Sequence, residues 1–381
     1  MTIPETPKIL LMADYSNFHN TLAKGLRNLG CDVTVVSDGS NFMECDRDID
    51  ITRRSGKVGG LMYAAKLFGP LHSKLKGYDI VSFRNPDFLD LKPQRILWFL
   101  KRMLKENKTC FLSAITMDIP FFEMLQAPDS PLAYSEWFVN GQPNRLYLED
   151  KAQWESWHAP AMKKLHTYLY DHVDGAVSGL YEYHKSIERK FTRDKIAYGG
   201  LPIDFESIPF KELGNPKKIR IFLGRDRRRK LQKGSDLLEI AAKNVVGRHP
   251  EKAELVLIEN RPRQEYMEIM QSCHVLLDQI YSYTPATMAL EGMASGLVTV
   301  TGGESDYYDF IGEKENFPIV NAPIALEELE NVIEKIILNP DSLDERGKRS
   351  REFVEKHHNI DTVARRFLNH WLKLFSEKKA N

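Results

Sequence analysis

The 381-residue sequence has no net charge, because 53 Lys and Arg are matched by 53 Asp and Glu. No global field draws it to nucleic acid or to a membrane, so any such attraction has to be local. Cysteine is scarce. Cys31, Cys45, Cys110 and Cys273 are scattered among apolar residues without metal-ligand spacing, which excludes a disulfide framework and points to reduced, structural thiols. No apolar run is long enough to span a bilayer, and the short polar start from Met1 to Pro7 lacks a signal-peptide pattern; a cytoplasmic protein is expected. The turn after the first strand-like run has no GxGxxG, which argues against a dinucleotide-binding oxidoreductase.

What is present describes a globular protein of two domains. The chain is 42% apolar and 28% charged, and it is too long for one continuous core. Lys8 to Ala13 reads as a buried strand, Phe18 to Leu29 as a helix stopped by Gly30, and Val33 to Ser37 as a second strand. Runs at Asp79 to Phe83, Thr109 to Ala114 and Gly175 to Ser178 continue a parallel sheet, with Lys92 to Lys105 an intervening helix. After Leu201-Pro202-Ile203-Asp204 and a polar stretch, the rhythm restarts. Strands are expected at Ile219 to Leu223, Glu254 to Ile258, His274 to Leu277 and Leu297 to Thr301. Helices are expected at Ser235 to Lys243, Gln264 to Gln271, Pro285 to Ser295 and Leu326 to Leu338, with two more at Asp341 to Lys356 and Thr362 to Phe375. The expected fold is α/β, with two Rossmann-like domains facing a cleft at the carboxyl ends of their strands.

Tyr134 to Pro160 breaks the rhythm with Tyr134, Trp137, Phe138, Tyr147, Trp154 and Trp157 around the turn signal Asn140-Gly141. Its aromatics either pack down onto the first domain or form a wall or lid for sugar rings.

Two strand-to-helix junctions carry the chemistry. Gly224 and Arg225 end one strand, and the run Arg225 to Lys230 holds five cations before Lys233. Arg225 and Lys233 are best placed to neutralise adjacent phosphates, while Arg227, Arg228 and Arg229 read as solvated surface. At the second junction Asp278-Gln279 and Tyr283-Thr284-Pro285 precede a helix bearing Glu291. Its free amide donors suit an anion, and Glu291 could accept from a ribose diol or simply pair with a neighbouring cation. In the first domain His19, Asp118 and the segment Arg84-Asn85-Pro86-Asp87 follow strands, where they either orient hydroxyls or serve the fold.

These motifs resemble those of retaining glycosyltransferases of the two-Rossmann-domain GT-B fold, of the group-1, family-four-like kind that assembles bacterial glycans. Phe222-Leu223-Gly224-Arg225 with Lys233-Gly234-Ser235-Asp236-Leu237-Leu238 resembles the family's GR…KGxDLL element, and Leu290 to Gly296 resembles its LEAMAxG element. The resemblance implies Arg225 and Lys233 on donor phosphates and Glu291 on the donor ribose. Gly224, Asp278, Gln279, Tyr283 and Thr284 would complete the donor site, and His19 and Asp118 would position the acceptor or transferred sugar. A second family Glu, eight residues before Glu291, is replaced by Tyr283; Asp278-Gln279 resembles a variant branch with DQ there.

The resemblance further implies an acceptor-side domain over 1–198, a nucleotide-sugar donor domain over 199–356, and a 357–381 helix returning to the first domain. It implies retention and transfer from a nucleotide-diphosphate sugar to a glycan, lipid-linked or other hydroxyl acceptor. No DxD stands where it would argue for a metal, and no cofactor besides the donor is expected. Gly59 to Phe68, followed by Lys74 and Lys76, reads as a surface helix or as a peripheral contact with the inner membrane face. The competing class is a noncatalytic nucleotide-sugar binding or scaffold protein; nucleic-acid binding would rest on the Arg227 to Lys230 run and Lys233 alone.

Overall fold

The computed structural model describes residues 6–40, 45–226, 229–259 and 261–380. Arg227, Arg228 and the first five residues of the polar start lie outside them. Two compact units result: residues 1–127, 152–202 and 360–381 form the first, and residues 128–151 and 203–359 form the second.

The first unit is built on β1 (Lys8–Met12), β2 (Asp32–Ser37), β3 (Ile49–Asp50), β4 (Ile80–Phe83), β5 (Thr109–Ala114), β8 (Gly175–Ser178) and β9 (Ile196–Tyr198). The labels β6 (Phe138–Val139) and β7 (Gln142–Pro143) belong to a hairpin in the second unit. Every pairing in the seven-stranded sheet is parallel, in the order β3-β2-β1-β4-β5-β8-β9. A parallel sheet is covered on both faces, so its strands need unbroken apolar runs: Ile9, Leu10, Leu11 and Met12 are all fully buried. The order reverses between β1 and β4, the kind of switch point where open α/β sheets bind ligands.

The helix Phe18–Asn28 packs against the final helix, Ile360–Ala380, with the rings of Phe18 and Phe367 5.8 Å apart. Trp371 of the same helix meets Phe111 of β5 at 6.0 Å. The final helix thereby completes the first unit's core, although it follows the whole of the second unit in sequence.

The second unit's sheet joins β10 (Ile219–Arg225), β11 (Ala253–Glu259), β12 (Val275–Leu277), β13 (Val298–Thr301) and β14 (Val320–Asn321). It too is parallel, in the order β11-β10-β12-β13-β14, reversing between β10 and β12. Alternation along β10 sends its side chains to two cores. Ile219, Ile221 and Leu223 pack with Leu238, Ala241, Ala242 and Val245 of the helix Ser235–Arg248 and with Leu329 and Ile333 of the helix Leu326–Ile337. Phe222 packs instead with Met270, Cys273, Leu276 and Leu297. Truncation of Phe222 to alanine should cost about 3–5 kcal/mol.

The four cysteines are buried and form no disulfide, in accord with their apolar settings. The expected helix from Pro285 instead spans Thr287–Ala294 behind Ala286 as its N-cap. Pro285 fixes the approach to this helix rather than its first turn.

The aromatic excursion divides between the units. Trp154 meets Phe122 of the first unit at 4.8 Å, as packing onto that domain requires. Residues 128–151 instead form a strap on the second unit. Its hairpin turns at Asn140 and Gly141, whose φ angles of 49° and 73° suit an Asn-Gly turn. Tyr134 stacks on Tyr283 at 4.8 Å and donates its hydroxyl proton to Oε1 of Glu304 at 2.6 Å. Arg145 pairs with Asp236 at 2.5 Å, and Trp137 is fully enclosed.

Candidate functional site

The carboxyl ends of β10, β11 and β12 gather most of the residues expected to handle a nucleotide. Gly224 lies inside β10, opposite Ile258 of β11, rather than in a turn beyond the strand. Its missing side chain makes room for Tyr266, whose hydroxyl would stand 2.0 Å from a Cβ at that position. The sharp turn comes later, at Gly234, where φ is +67° and a Cβ would lie 2.3 Å from Ile280. A side chain there would meet both backbone strain and a clash.

Gly234 follows the short helix Lys230–Lys233 and precedes the helix Ser235–Arg248. Lys233 is anchored from both sides: its carbonyl accepts the amide of Ile280 at 3.0 Å, and its ammonium donates to Oδ1 of Asp278 at 2.7 Å. Asp278 is 4% exposed, and its other carboxylate oxygen accepts from the Thr301 hydroxyl at 3.4 Å. A buried carboxylate thus aims a partly exposed ammonium at the sheet edge. Gln279 donates to the Ser282 hydroxyl at 2.8 Å, locking the loop that leads to the next helix.

That helix, Thr287–Ala294, starts without a side-chain cap. Its first amides present partial positive charge close in sequence to Thr284 and Tyr283. Tyr283 does not offer its hydroxyl as a substitute for a carboxylate: the oxygen accepts the Ala133 amide at 2.6 Å, and the ring carries the strap's Tyr134. Burial raises its pKa.

The remaining charges are already neutralised within the protein. Arg225 extends from the end of β10 between Glu239 and Glu259 and donates to both; Glu239 also accepts from Lys243 at 2.6 Å. Glu291, 5% exposed, accepts two bonds from Arg263, at 2.5 and 3.3 Å. Of the two readings of Glu291, the cation pair is the one present in this structure. Tyr266 lies near both Asp278 and Glu291; burial first, then these two charges, pushes its phenol far above its ordinary range.

Glu239, Glu259 and Arg263 carried no motif that singled them out. Arg263 opens the helix Arg263–Gln271, one residue before the start expected at Gln264.

In the first unit the structure gives His19 and Asp118 internal partners. The ring of His19 is wholly buried, with Nδ1 at the Ala13 carbonyl and Nε2 3.0 Å from the Ser113 hydroxyl. Nδ1 must donate to that carbonyl, so Nε2 accepts. Burial lowers its pKa to about 4, which keeps the ring neutral. Asp118 caps the helix Ile119–Gln126 by accepting the Phe121 amide at 3.0 Å, and it also accepts the Tyr170 hydroxyl. Burial raises its pKa to about 6. Both side chains are bonded within the first unit in this structure.

Among the described residues no group of three or more His, Cys, Asp or Glu could hold a metal ion, and no helix is long and apolar enough to cross a membrane.

Residues 227–369 match the family model described as "Glycosyl transferase-like". No curated protein matches the sequence. Among solved structures, sucrose-phosphate synthase from Thermosynechococcus elongatus superposes with a TM-score of 0.59 at 13% identity, over 98% of this chain and 100% of the other. Anabaena Alr3699/HepE, solved in complex with UDP-glucose, gives 0.58 at 12% identity, over 96% and 100%. A glycosyltransferase from Rickettsia africae gives 0.55 at 14% identity, over 97% and 99%. The likeness extends over both units, and the chain has the two-Rossmann-domain, GT-B-type fold.

Proposed function

We propose that the protein is a glycosyltransferase that moves a sugar from a nucleotide-diphosphate donor to a hydroxyl acceptor with retention of anomeric configuration. The observation that carries this reading is the Lys233–Asp278 pair at the switch point of the second sheet, with the uncapped helix Thr287–Ala294 following Asp278 in the chain. A fixed ammonium and free backbone donors suit a diphosphate. The UDP-glucose bound in the HepE structure supports a nucleotide sugar as the donor.

In the reaction the bond from the anomeric carbon to the diphosphate oxygen breaks, and the electron pair leaves with the diphosphate. The acceptor oxygen attacks from the same face, and its proton passes to the departing oxygen. Lys233 neutralises the charge gained there. Arg225 would join by exchanging Glu239 or Glu259 for a phosphate oxygen, and Glu291 would take the ribose by releasing Arg263. Asp278, Gln279 and Thr284 shape the donor loop, while Gly224 and Tyr283 support it through Tyr266 and the strap. His19 and Asp118 hold the first unit's strand ends in place. Retention rests on the family resemblance.

We assign the acceptor to the first unit, the domain expected over 1–198 but without residues 128–151, a glycan or lipid-linked alcohol being the class considered, and the donor to the second unit, the domain expected over 199–356. A cytoplasmic location with peripheral contact at the inner membrane face fits the helix Gly56–Phe68. It leaves Val58, Leu61 and Met62 72%, 68% and 57% exposed beside Lys57 and Lys66. Sedimentation with anionic vesicles tests this contact, and absence of binding at low salt sinks it.

A noncatalytic nucleotide-sugar binder is the second reading, favoured by the engagement of Arg225 and Glu291 with protein partners. A thermal-shift screen of nucleoside diphosphates and nucleotide sugars, followed by proton NMR of products, separates the two. Donor-dependent stabilisation with a retained product supports the transferase; stabilisation without turnover across a broad acceptor panel supports the binder. No stabilisation by any nucleotide rejects both.

A further inference from the structure

At the switch point of the first sheet, buried polar atoms lack partners among the described residues. They are Oδ2 of Asp14 and, after β4, Nε of Arg84, Oδ1 of Asn85 and Oδ1 of Asp87. Asp14 and Asn85 are 2% and 1% exposed. Each such atom costs about 1–3 kcal/mol of desolvation, so four on two adjoining strand ends are expensive for the fold.

Arg84 joins the loops that carry Asp14 and Asp87. The guanidinium of Arg84 donates to the carbonyls of Asp14 at 3.0 Å and Asp87 at 3.4 Å, drawing the two loops together. Asp14 is held through Oδ1, which accepts the amides of Tyr15 and His19 at 2.7 and 2.8 Å. Asn85 donates through Nδ2 to the Met117 carbonyl at 2.8 Å, so its amide is oriented and its oxygen is the open atom. Three of the four open atoms are therefore acceptors, and two of these belong to carboxylates.

We propose that Asp14, Asn85 and Asp87 form a binding site for a ligand that presents several hydrogen-bond donors and no anionic group at this point, namely the hydroxyls of an uncharged sugar or the ammonium of an amino sugar. A phosphate or carboxylate would meet two carboxylates against a single guanidinium, which keeps three of its five N–H groups beyond the two bonds to Asp14 and Asp87. Oriented acceptors on a rigid sheet edge match vicinal hydroxyls, each of which needs an acceptor on desolvation. The name of this ligand as the acceptor rests on the glycosyl-transfer reading; the binding itself does not.

The test uses the full-length protein and ligand-observed NMR with methyl hexosides and methyl glucosaminide, against glucose 6-phosphate and glucuronic acid. At least one uncharged or amino sugar should bind the parent, and Asp14→Asn and Asp87→Asn should each weaken it about tenfold or more. Melting curves confirm the fold, and the two substitutions act on different strand ends, so one unstable variant leaves the other to decide. Preference for the anionic sugars, no binding by the uncharged and amino sugars up to tens of millimolar, or unchanged affinity in the folded variants overturns the proposal. Nucleoside diphosphate affinity, measured in parallel, should be the same in parent and variants. Sugar binding without nucleotide binding would sink the donor assignment and leave this site standing.

Discussion

Glu291 and Arg263 meet through two hydrogen bonds, so the carboxylate expected to receive a ribose is already held by a guanidinium. A nucleoside arriving there must compete with Arg263 for the same oxygens. Glu291→Gln keeps the shape and removes the charge. If Glu291 accepts from the ribose diol, the parent should bind a nucleoside diphosphate about tenfold more tightly than its 2′-deoxy form, and the variant should lose most of that difference. Equal discrimination by parent and variant in calorimetry would assign Glu291 to the ion pair alone.

If Lys233 meets the leaving diphosphate as proposed, Lys233→Ala should cut turnover by about 100-fold or more. Asp278→Asn leaves the ammonium in place but weakens its anchor, so a smaller loss is expected. Retention of parental kcat by a folded Lys233→Ala protein would refute the phosphate role.

Three buried histidines and the half-buried His274 set an acid limit on stability. Desolvation lowers the pKa of His19, His184 and His274 to about 4 and of His166 to about 3, against an ordinary value of 6.5. Below 6.5 the unfolded chain binds protons that the folded chain refuses, so their contribution is present above 6.5 and is lost as pH falls toward 4. Asp118, raised to about 6, and Asp14, also raised by burial, act in the opposite sense, but they are two groups against four. The melting temperature should fall from pH 6.5 to pH 4.5, and less steeply in His166→Gln. Identical slopes for parent and variant would count against a neutral buried His166.

The strap's attachment is measurable through Tyr134. Tyr134→Phe removes the hydrogen bond to Glu304 and should cost about 1–2 kcal/mol; Tyr134→Ala also loses the stack on Tyr283 and should cost more. Denaturant unfolding gives both values, and equal stability of the two variants would mean that the ring contributes nothing.

The sheets were legible because parallel strands buried on both faces must be written as short aliphatic runs, such as Ile9 to Met12 or Ile219 to Leu223. Two-residue strands such as β3 and β14 carry too few residues to show a pattern. The site was legible in its positions more than in its bonds. Lys233 and Asp278 could be placed at neighbouring strand ends, yet nothing in the sequence announces that one holds the other across 45 residues. The partners of Arg225 and Glu291 escaped for the same reason, being ordinary charges on a neighbouring strand or helix. The internal partners of His19 and Asp118 were equally unreadable, because strand-end polar groups serve caps and loop anchors as readily as substrates.

The strap also bears on how such proteins can be recombined. The chain passes between the units at 127/128, 151/152, 202/203 and 359/360, so the second unit is not one continuous stretch of gene. A chimera that exchanges only residues 203–359 would receive Tyr283, Asp236 and Glu304 without the Ala133, Tyr134 and Arg145 that hold them. Residues 128–151 have to travel with the half they touch rather than with the half that surrounds them in sequence.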